Sequence, residues 1–314
     1  MAVDTVRKSI NVTTPVSPTT VTGWPAVIFS FPVLGVGVFI VLLALDVVPS
    51  PDTNFRVSRE LVAAFGGLFV LAGVSVLVQG LQSLAAQSKR KEILSRHPGQ
   101  PWLADYPWDP KGISGDNLKK VYSIFGGMLG IIVFLVPFHW FAFFTKGVPP
   151  VFGIFIGIFD LILFCFVIYG IYLLLRFFKY GTSHLQFNQF PFLIGDQVNV
   201  TLSTKAIPGL KDMAVTLRCI EEQYETRGSG KNRHTVVVSY QLYADTLKVE
   251  NAGAGQYNRF YLPVISSLPV DKNLETALSA RPAKYWQIEF KAATPGIDYV
   301  AGFLLPVYAR REVF

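Results

Sequence analysis

In this 314-residue chain, Asp160 and His139 have the strongest chemistry for the places they occupy. Both fall inside long apolar runs, where an ionised carboxylate costs a few kcal/mol or more and ordinarily faces a partner or a wet cavity. Asp160 is therefore the candidate intramembrane polar site, with two roles open to it. It is either a neutral, hydrogen-bonded acid that holds helices or a partner subunit together, or a proton or ion relay. His139 can approach it from the neighbouring run, but sits about five residues, some 7 Å by helical rise, nearer the outer end. The remaining reactive residues do not assemble. His97, His184 and His234 are scattered, and Cys165 and Cys219 lie in different halves without metal or disulfide spacing. No glycine-rich phosphate cradle and no Gly-x-Ser-x-Gly elbow occurs. Glu221 and Glu222 are adjacent, so on a strand they point to opposite faces and read as a solvated strand end. The expectation is a protein that is not an enzyme and uses neither cofactor nor metal.

The elements that must position these residues begin with lipid. A hydrophobic content of 51%, a mean hydropathy of +0.40 and only 16% charged residues are too apolar for a soluble protein. Residues 25–45, 61–81, 121–144 and 150–175 are each long and apolar enough to cross roughly 30 Å of hydrocarbon as a helix. The first run is longer than a signal-peptide core and lacks a small-x-small site, so it reads as a retained span. Beside these spans, Arg7, Lys8, Lys89, Arg90, Lys91, Arg96, Lys111, Lys119, Lys120, Arg176 and Lys179 fall on one side, and only Arg56, Arg59 and Lys146 on the other. The positive-inside rule then places both termini in the cytoplasm and the chain in the inner (plasma) membrane. Trp24 and Trp140 stand at span ends as headgroup anchors, and Asp46 at another end reaches water. Gly66, Gly67, Gly73, Gly126, Gly127, Gly130, Gly153 and Gly157 recur at spacings that permit close helix approach, and Pro32 and Pro137 are expected to kink their helices.

Residues 82–120 read as a cytoplasmic loop that opens with the basic cluster Lys89, Arg90 and Lys91. It continues through Pro98-Gly99 and Trp102 to Trp108-Asp109-Pro110, a composition that precludes a long helix. Its tryptophans suit either the inner headgroup layer or a pocket on the soluble domain, and docking on that domain is preferred. From residue 182 the pattern changes to short alternating runs separated by Gly, Pro, Asn and Asp, which predict a β-sandwich of seven or eight strands. Val198, Val200 and Leu202 form one inward set, and Val215, Leu217 and Cys219 another. Arg227, Lys231 and Arg233 decorate a flexible hairpin tip, available to an acidic partner or lipid headgroups. Trp286 reads as core, and Asp298 as a cap for backbone amides. The sequons at Asn11-Val12-Thr13 and Asn199-Val200-Thr201 fall on the cytoplasmic side and are discounted. The resulting divisions are a flexible segment 1–24, a transmembrane domain 25–180 and a sandwich 181–314.

Phe260-Tyr261-Leu262-Pro263, Pro269 and Tyr285-Trp286-Gln287-Ile288-Glu289-Phe290 resemble the strand order and prolines of arrestin-like sandwich domains over residues 183–308. With Pro101-Trp102, Trp108, Pro295-Gly296-Ile297-Asp298-Tyr299 and Pro306-Val307-Tyr308, the chain looks like a group of bacterial four-span membrane proteins ending in such a domain. The resemblance implies an α+β membrane protein, a four-helix bundle followed by an all-β, arrestin-like or immunoglobulin-like sandwich. It brings protein–protein recognition through strand edges and loops, but no activity. One sandwich stands where arrestin-like proteins typically have two, which leaves the partner open. The expected function is a membrane-anchored interaction or assembly protein contacting lipid, a protein partner or larger complex, or a second copy of itself, and not nucleic acid. The alternatives are a channel or transporter component built on Asp160, and a lipid-acting enzyme at the basic loop.

Overall fold

The computed structural model describes residues 8–10, 16–17, 22–48, 59–115, 117–207, 209–252 and 258–311. Arg7, Arg56 and the Asn11-Val12-Thr13 sequon lie outside these described residues. The fold is α+β, with four long apolar helices and a β-sandwich. It divides into two compact units. One comprises Thr20–Lys89 and Lys119–Leu174, and the other Met1–Thr19, Arg90–Leu118 and Leu175–Phe314.

The helices are α1 (Trp24–Ala44), α2 (Arg59–Arg96), the single turn α3 (Trp102–Asp105), α4 (Asn117–Phe144) and α5 (Pro150–Tyr180). All but α3 are long and apolar enough to span a membrane. Helix α1 opens behind Gly23 at φ +71° with Pro25 in its first turn, where a missing N–H costs nothing. Helix α2 runs on through 38 residues, about 57 Å at 1.5 Å per residue. The basic cluster expected in a loop is therefore helical. Residues 82–96 are Ala, Leu, Ile, Gln, Lys, Arg, Glu and Ser with no glycine or proline before Pro98, and Arg96 bonds Glu92 one turn back at 2.6 Å.

Glycines set the contact between α1 and α2, though not all of those expected. Gly66, Gly73 and Gly80 recur every seven residues on α2 and meet Val41, Leu34 and Val27, spaced likewise on α1. A Cβ at Gly66 would lie 2.8 Å from the Val41 nitrogen, one at Gly73 3.0 Å from that of Leu34, and one at Gly37 2.6 Å from that of Val70. The two backbones thus approach closely along a seam that repeats every seven residues, with the Val27, Leu34 and Val41 side chains packed over the α2 glycines. Gly67, Gly126, Gly127, Gly130 and Gly157 instead face open space, and Gly153 meets only the Phe143 ring, at 3.7 Å. Spacing alone did not distinguish the glycines at the seam from those on the outer faces.

The strands are β1 (Lys8–Ile10), β2 (Gly112–Ser114), β3 (His184–Phe187), β4 (Phe192–Leu193), β5 (Gln197–Lys205), β6 (Met213–Arg227), β7 (His234–Val249), β8 (Arg259–Ser267), β9 (Lys284–Ala292), β10 (Tyr299–Leu305) and β11 (Val307–Tyr308). They form sheets ordered β1-β7-β6-β9-β10 and β2-β3-β5-β8, with a small parallel pair β11-β4. The inward sets are those the alternation predicts. Val198, Val200, Leu202, Val215, Leu217 and Cys219 are all buried, with Phe290, Phe303 and Trp286 between the sheets. Trp286 is fully buried and its Nε1 donates to the Leu274 carbonyl at 2.5 Å. More strands are described than the seven or eight expected, because β4 and β11 are two-residue pieces and two further short strands come from outside the predicted domain. β1 lies in the segment expected to be flexible, and β2 in the loop before the third span.

Candidate functional site

The intramembrane pair is closer than helical rise suggested. His139 Nε2 lies 3.1 Å from Asp160 Oδ2. The offset closes because side chains on a helix lean toward its N-terminus. Helices α4 and α5 are consecutive and joined by a short connection, so His139 leans back along α4 while Asp160 leans back along α5, each toward the other. His139 Nδ1 also lies 3.0 Å from the Leu135 carbonyl. A carbonyl only accepts, so Nδ1 carries a hydrogen. The Nε2–Oδ2 contact then needs one further proton, shared between imidazole and carboxyl, and with it the pair has no net charge. Around the pair a groove of about 420 Å³ is lined by Ile132, Leu135, Val136, Trp140, Phe144 and Leu163. His139 and Asp160 are 36% and 47% exposed there, so neither is sealed inside the helical unit.

In the β-rich unit the tryptophan loop is held against the sandwich. Asp105 is the hub. Its carboxylate accepts the backbone N–H groups of Ser279 at 2.8 Å and Leu278 at 3.0 Å, the Ser279 hydroxyl, and the Tyr308 hydroxyl at 3.0 Å. Trp108 Nε1 in turn donates to the Tyr308 oxygen at 3.0 Å, and the Trp102 ring packs on the Tyr308 ring. Burial, and then the Asp105 charge, push the Tyr308 phenol well above its ordinary range. Arg90 Nη1 donates to the Ser279 carbonyl at 3.2 Å, while Lys89 and Lys91 are exposed. Of the candidate interface residues, Trp102, Trp108 and Arg90 thus contact the sandwich, as the preferred docking of the tryptophans on that domain expected, while Lys89 and Lys91 stay on the surface. Asp105 and Tyr308 were not foreseen, since their partners lie 173 to 203 residues away in the chain.

Glu222 also departs from expectation. It is fully buried and accepts the N–H groups of Val16 and Ser17, both at 2.6 Å, and the Tyr285 hydroxyl at 3.3 Å. Glu221, on the opposite face, pairs with Lys284 at 3.2 Å. The solvated strand end is therefore a clamp on the N-terminal segment, and a strand pattern cannot reveal a partner some two hundred residues earlier. Asp298 caps the Thr294 amide at 3.1 Å, as read from its turn.

Beyond this clamp β6 and β7 continue as a two-stranded arm. The β6–β9 register ends at Glu221↔Lys284, and β1 covers β7 only at Ser239, Tyr240 and Gln241. Residues 223–227 and 234–238 therefore pair only with each other among the described residues, for about 17 Å. The tip turns through Gly228 and Gly230, both at positive φ, and carries Arg227, Lys231 and Arg233, all exposed. Arg227 leans on Glu225 at 3.5 Å. Tyr224 is 41% exposed, and Val236, Val237 and Val238 are half-buried.

No family model matches the chain, and no curated protein matches it either. Among solved structures it is similar to Spo0M, a sporulation control protein of Bacillus subtilis with an arrestin-like fold, at 12% identity and a TM-score of 0.26, over 40% of this chain and 49% of that one. A DUF4466 family protein of Parabacteroides merdae matches at 12% identity and 0.22, over 41% and 44%. A β-glucosidase of Listeria innocua matches at 10% and 0.15, over 40% and 16%. The chain spans about half the length of the first two or less.

Proposed function

We propose that this is a membrane-anchored interaction protein, whose sandwich recruits an acidic protein partner through the β6–β7 arm while the four helices hold it in the bilayer. The arm is the observation that carries this reading. Among the described residues β6 and β7 continue here as a two-stranded ribbon, which is marginal in water, with Tyr224 partly exposed and Val236, Val237 and Val238 half-buried beneath a cationic tip. A partner packed on the arm would bury these side chains further, and an acidic face would be steered to the cationic tip. The arrestin-like resemblance of the strand sequences, with recognition through loops and edges, supports the same reading. The count of basic residues beside the spans supports a cytoplasmic sandwich and an inner-membrane location, with Lys89 and Lys91 toward anionic lipid.

The test is a photoreactive amino acid placed at Asn232, with crosslinking in native membranes and identification of the adduct. The reading expects a discrete adduct that disappears when Arg227, Lys231 and Arg233 are changed to Glu. An adduct indifferent to that reversal, or none, refutes it. The His139–Asp160 contact favours a second reading, a channel or transporter component. The groove walls beyond the pair are apolar, so this reading requires further polar groups from another subunit. Flux from reconstituted protein that Asp160→Asn abolishes would favour it, and unchanged flux would remove it.

A further inference from the structure

The α4–α5 groove has a chemical demand that its own residues leave unmet. Asp160 Oδ2 is engaged by His139, but among the described residues Oδ1 has no hydrogen-bond partner, and the side chain stands 47% exposed to the groove. Because Nδ1 of His139 is committed as a donor to the Leu135 carbonyl, one proton lies between Nε2 and Oδ2. Whichever atom holds it, Oδ1 remains an acceptor: a carboxylate oxygen in one case, a carbonyl oxygen of the acid in the other. An acceptor facing hydrocarbon without a donor is costly, and acyl chains offer none. The walls on either side are apolar. Toward the α4 N-terminus they continue to Leu135 and Ile132, about 10 Å along the helix from His139, and in the other direction to Trp140 and Phe144. The groove therefore combines an apolar trough of about 420 Å³ with one acceptor set part-way along it.

We infer that this groove binds a hydroxyl-bearing lipid of the membrane, the hydroxyl donating to Asp160 Oδ1 and the chain lying along Leu135 and Ile132. Saturated hydrocarbon fits the trough but not the acceptor, and an ether or ester brings a second acceptor to the same point. Only a donor completes the site. The inference is independent of the arm and its partner, since the arm variants leave α4 and α5 untouched.

The experiment uses the full chain in nanodiscs and a diazirine-bearing hexadecanol, with adducts mapped by mass spectrometry. Competition by hexadecanol is compared with competition by hexadecyl methyl ether. Labelling is expected on α4 and α5 beside the pair. The alcohol is expected to compete roughly three- to tenfold better than the ether, the worth of one hydrogen bond. Asp160→Asn keeps an acceptor oxygen and should keep that preference, while Asp160→Leu should bring the ratio to about one. If Asp160→Leu does not fold, the alcohol-to-ether ratio in wild type and Asp160→Asn still decides. Equal competition in wild type, or labelling elsewhere, overturns the inference. So does a probe excluded from wild type by a second copy of the chain, seen as a crosslinked dimer across this groove.

Discussion

Replacing Asp105 with Ala should release the tryptophan loop from the sandwich. The carboxylate holds two backbone N–H groups, the Ser279 hydroxyl and the Tyr308 hydroxyl. Net contributions of hydrogen bonds to a charged acceptor run at about 1.5–3 kcal/mol each, but bonds sharing one centre do not add. A total of about 3 kcal/mol is therefore expected, and at about 1.4 kcal/mol per tenfold this raises the opening equilibrium of the loop about 100-fold. A chain with two units need not unfold in one step, so a global midpoint is the wrong readout. Amide exchange in β2 is the right one, because Ile113 pairs with Leu185 and makes no bond to Asp105, so its rate reports opening rather than the lost bonds themselves. Tyr308→Phe, which removes one hydroxyl between Asp105 and Trp108, should raise that rate about tenfold. Asp109→Ala, which removes only the turn contact to the Lys111 amide, should leave it nearly unchanged. If Asp105→Ala left β2 exchange within about threefold of wild type, the hub argument would be wrong.

Gly66→Ala places a methyl group against the α1 backbone and should destabilise the helical unit by about 1–3 kcal/mol. Gly126→Ala, into open space, should be neutral or slightly stabilising, and thermal melts of both in detergent check the contrast. The phenols of Tyr285, Tyr299 and Tyr308 are all pushed upward, chiefly by burial. The folded state therefore holds these protons more tightly than the unfolded one, and stability is intact below the ordinary phenol pKa of about 10 and falls as pH rises past it. Denaturant melts from pH 8 to 11 should show the fall, and a folded protein whose 13 tyrosines all ionised together near pH 10 would contradict it. Burial likewise pushes the Cys219 thiol up to about 12, so a thiol reagent should modify it only after the sandwich opens. Glu222→Ala strands the Val16 and Ser17 N–H groups and should speed exchange of the Lys8–Ile10 amides, which stay protected if the N-terminal segment is held by β1 pairing alone.

The parts legible in the sequence were those with a period. Runs of apolar residues marked the helices, and alternation in 198–203 and 215–219 picked out side chains that are buried in the core. What escaped depends on contacts distant along the chain. Nothing near Asp105 or Glu222 announces the amides they accept, since these belong to residues 278 and 279 in one case and 16 and 17 in the other. The His139–Asp160 pair was legible as a candidate, but its direct contact was not, for another reason. Helical rise measures the distance between backbone positions, whereas two antiparallel helices let their side chains lean across it. Glycine spacing failed similarly, because seam and outer face carry the same residue and only the neighbouring helix separates Gly66 from Gly126.

Amide exchange of the β6–β7 arm bears most directly on the proposed role, measured in native membrane vesicles and again after purification in mild detergent. The arm's own ribbon pairing is the same in both, so any difference at residues 223–227 and 234–238 reports what lies against it. Recruitment of a partner predicts marked protection in native membranes that is lost on purification, and lost in place when Arg227, Lys231 and Arg233 are changed to Glu. Equal exchange in both settings, unmoved by the charge reversal, would contradict it.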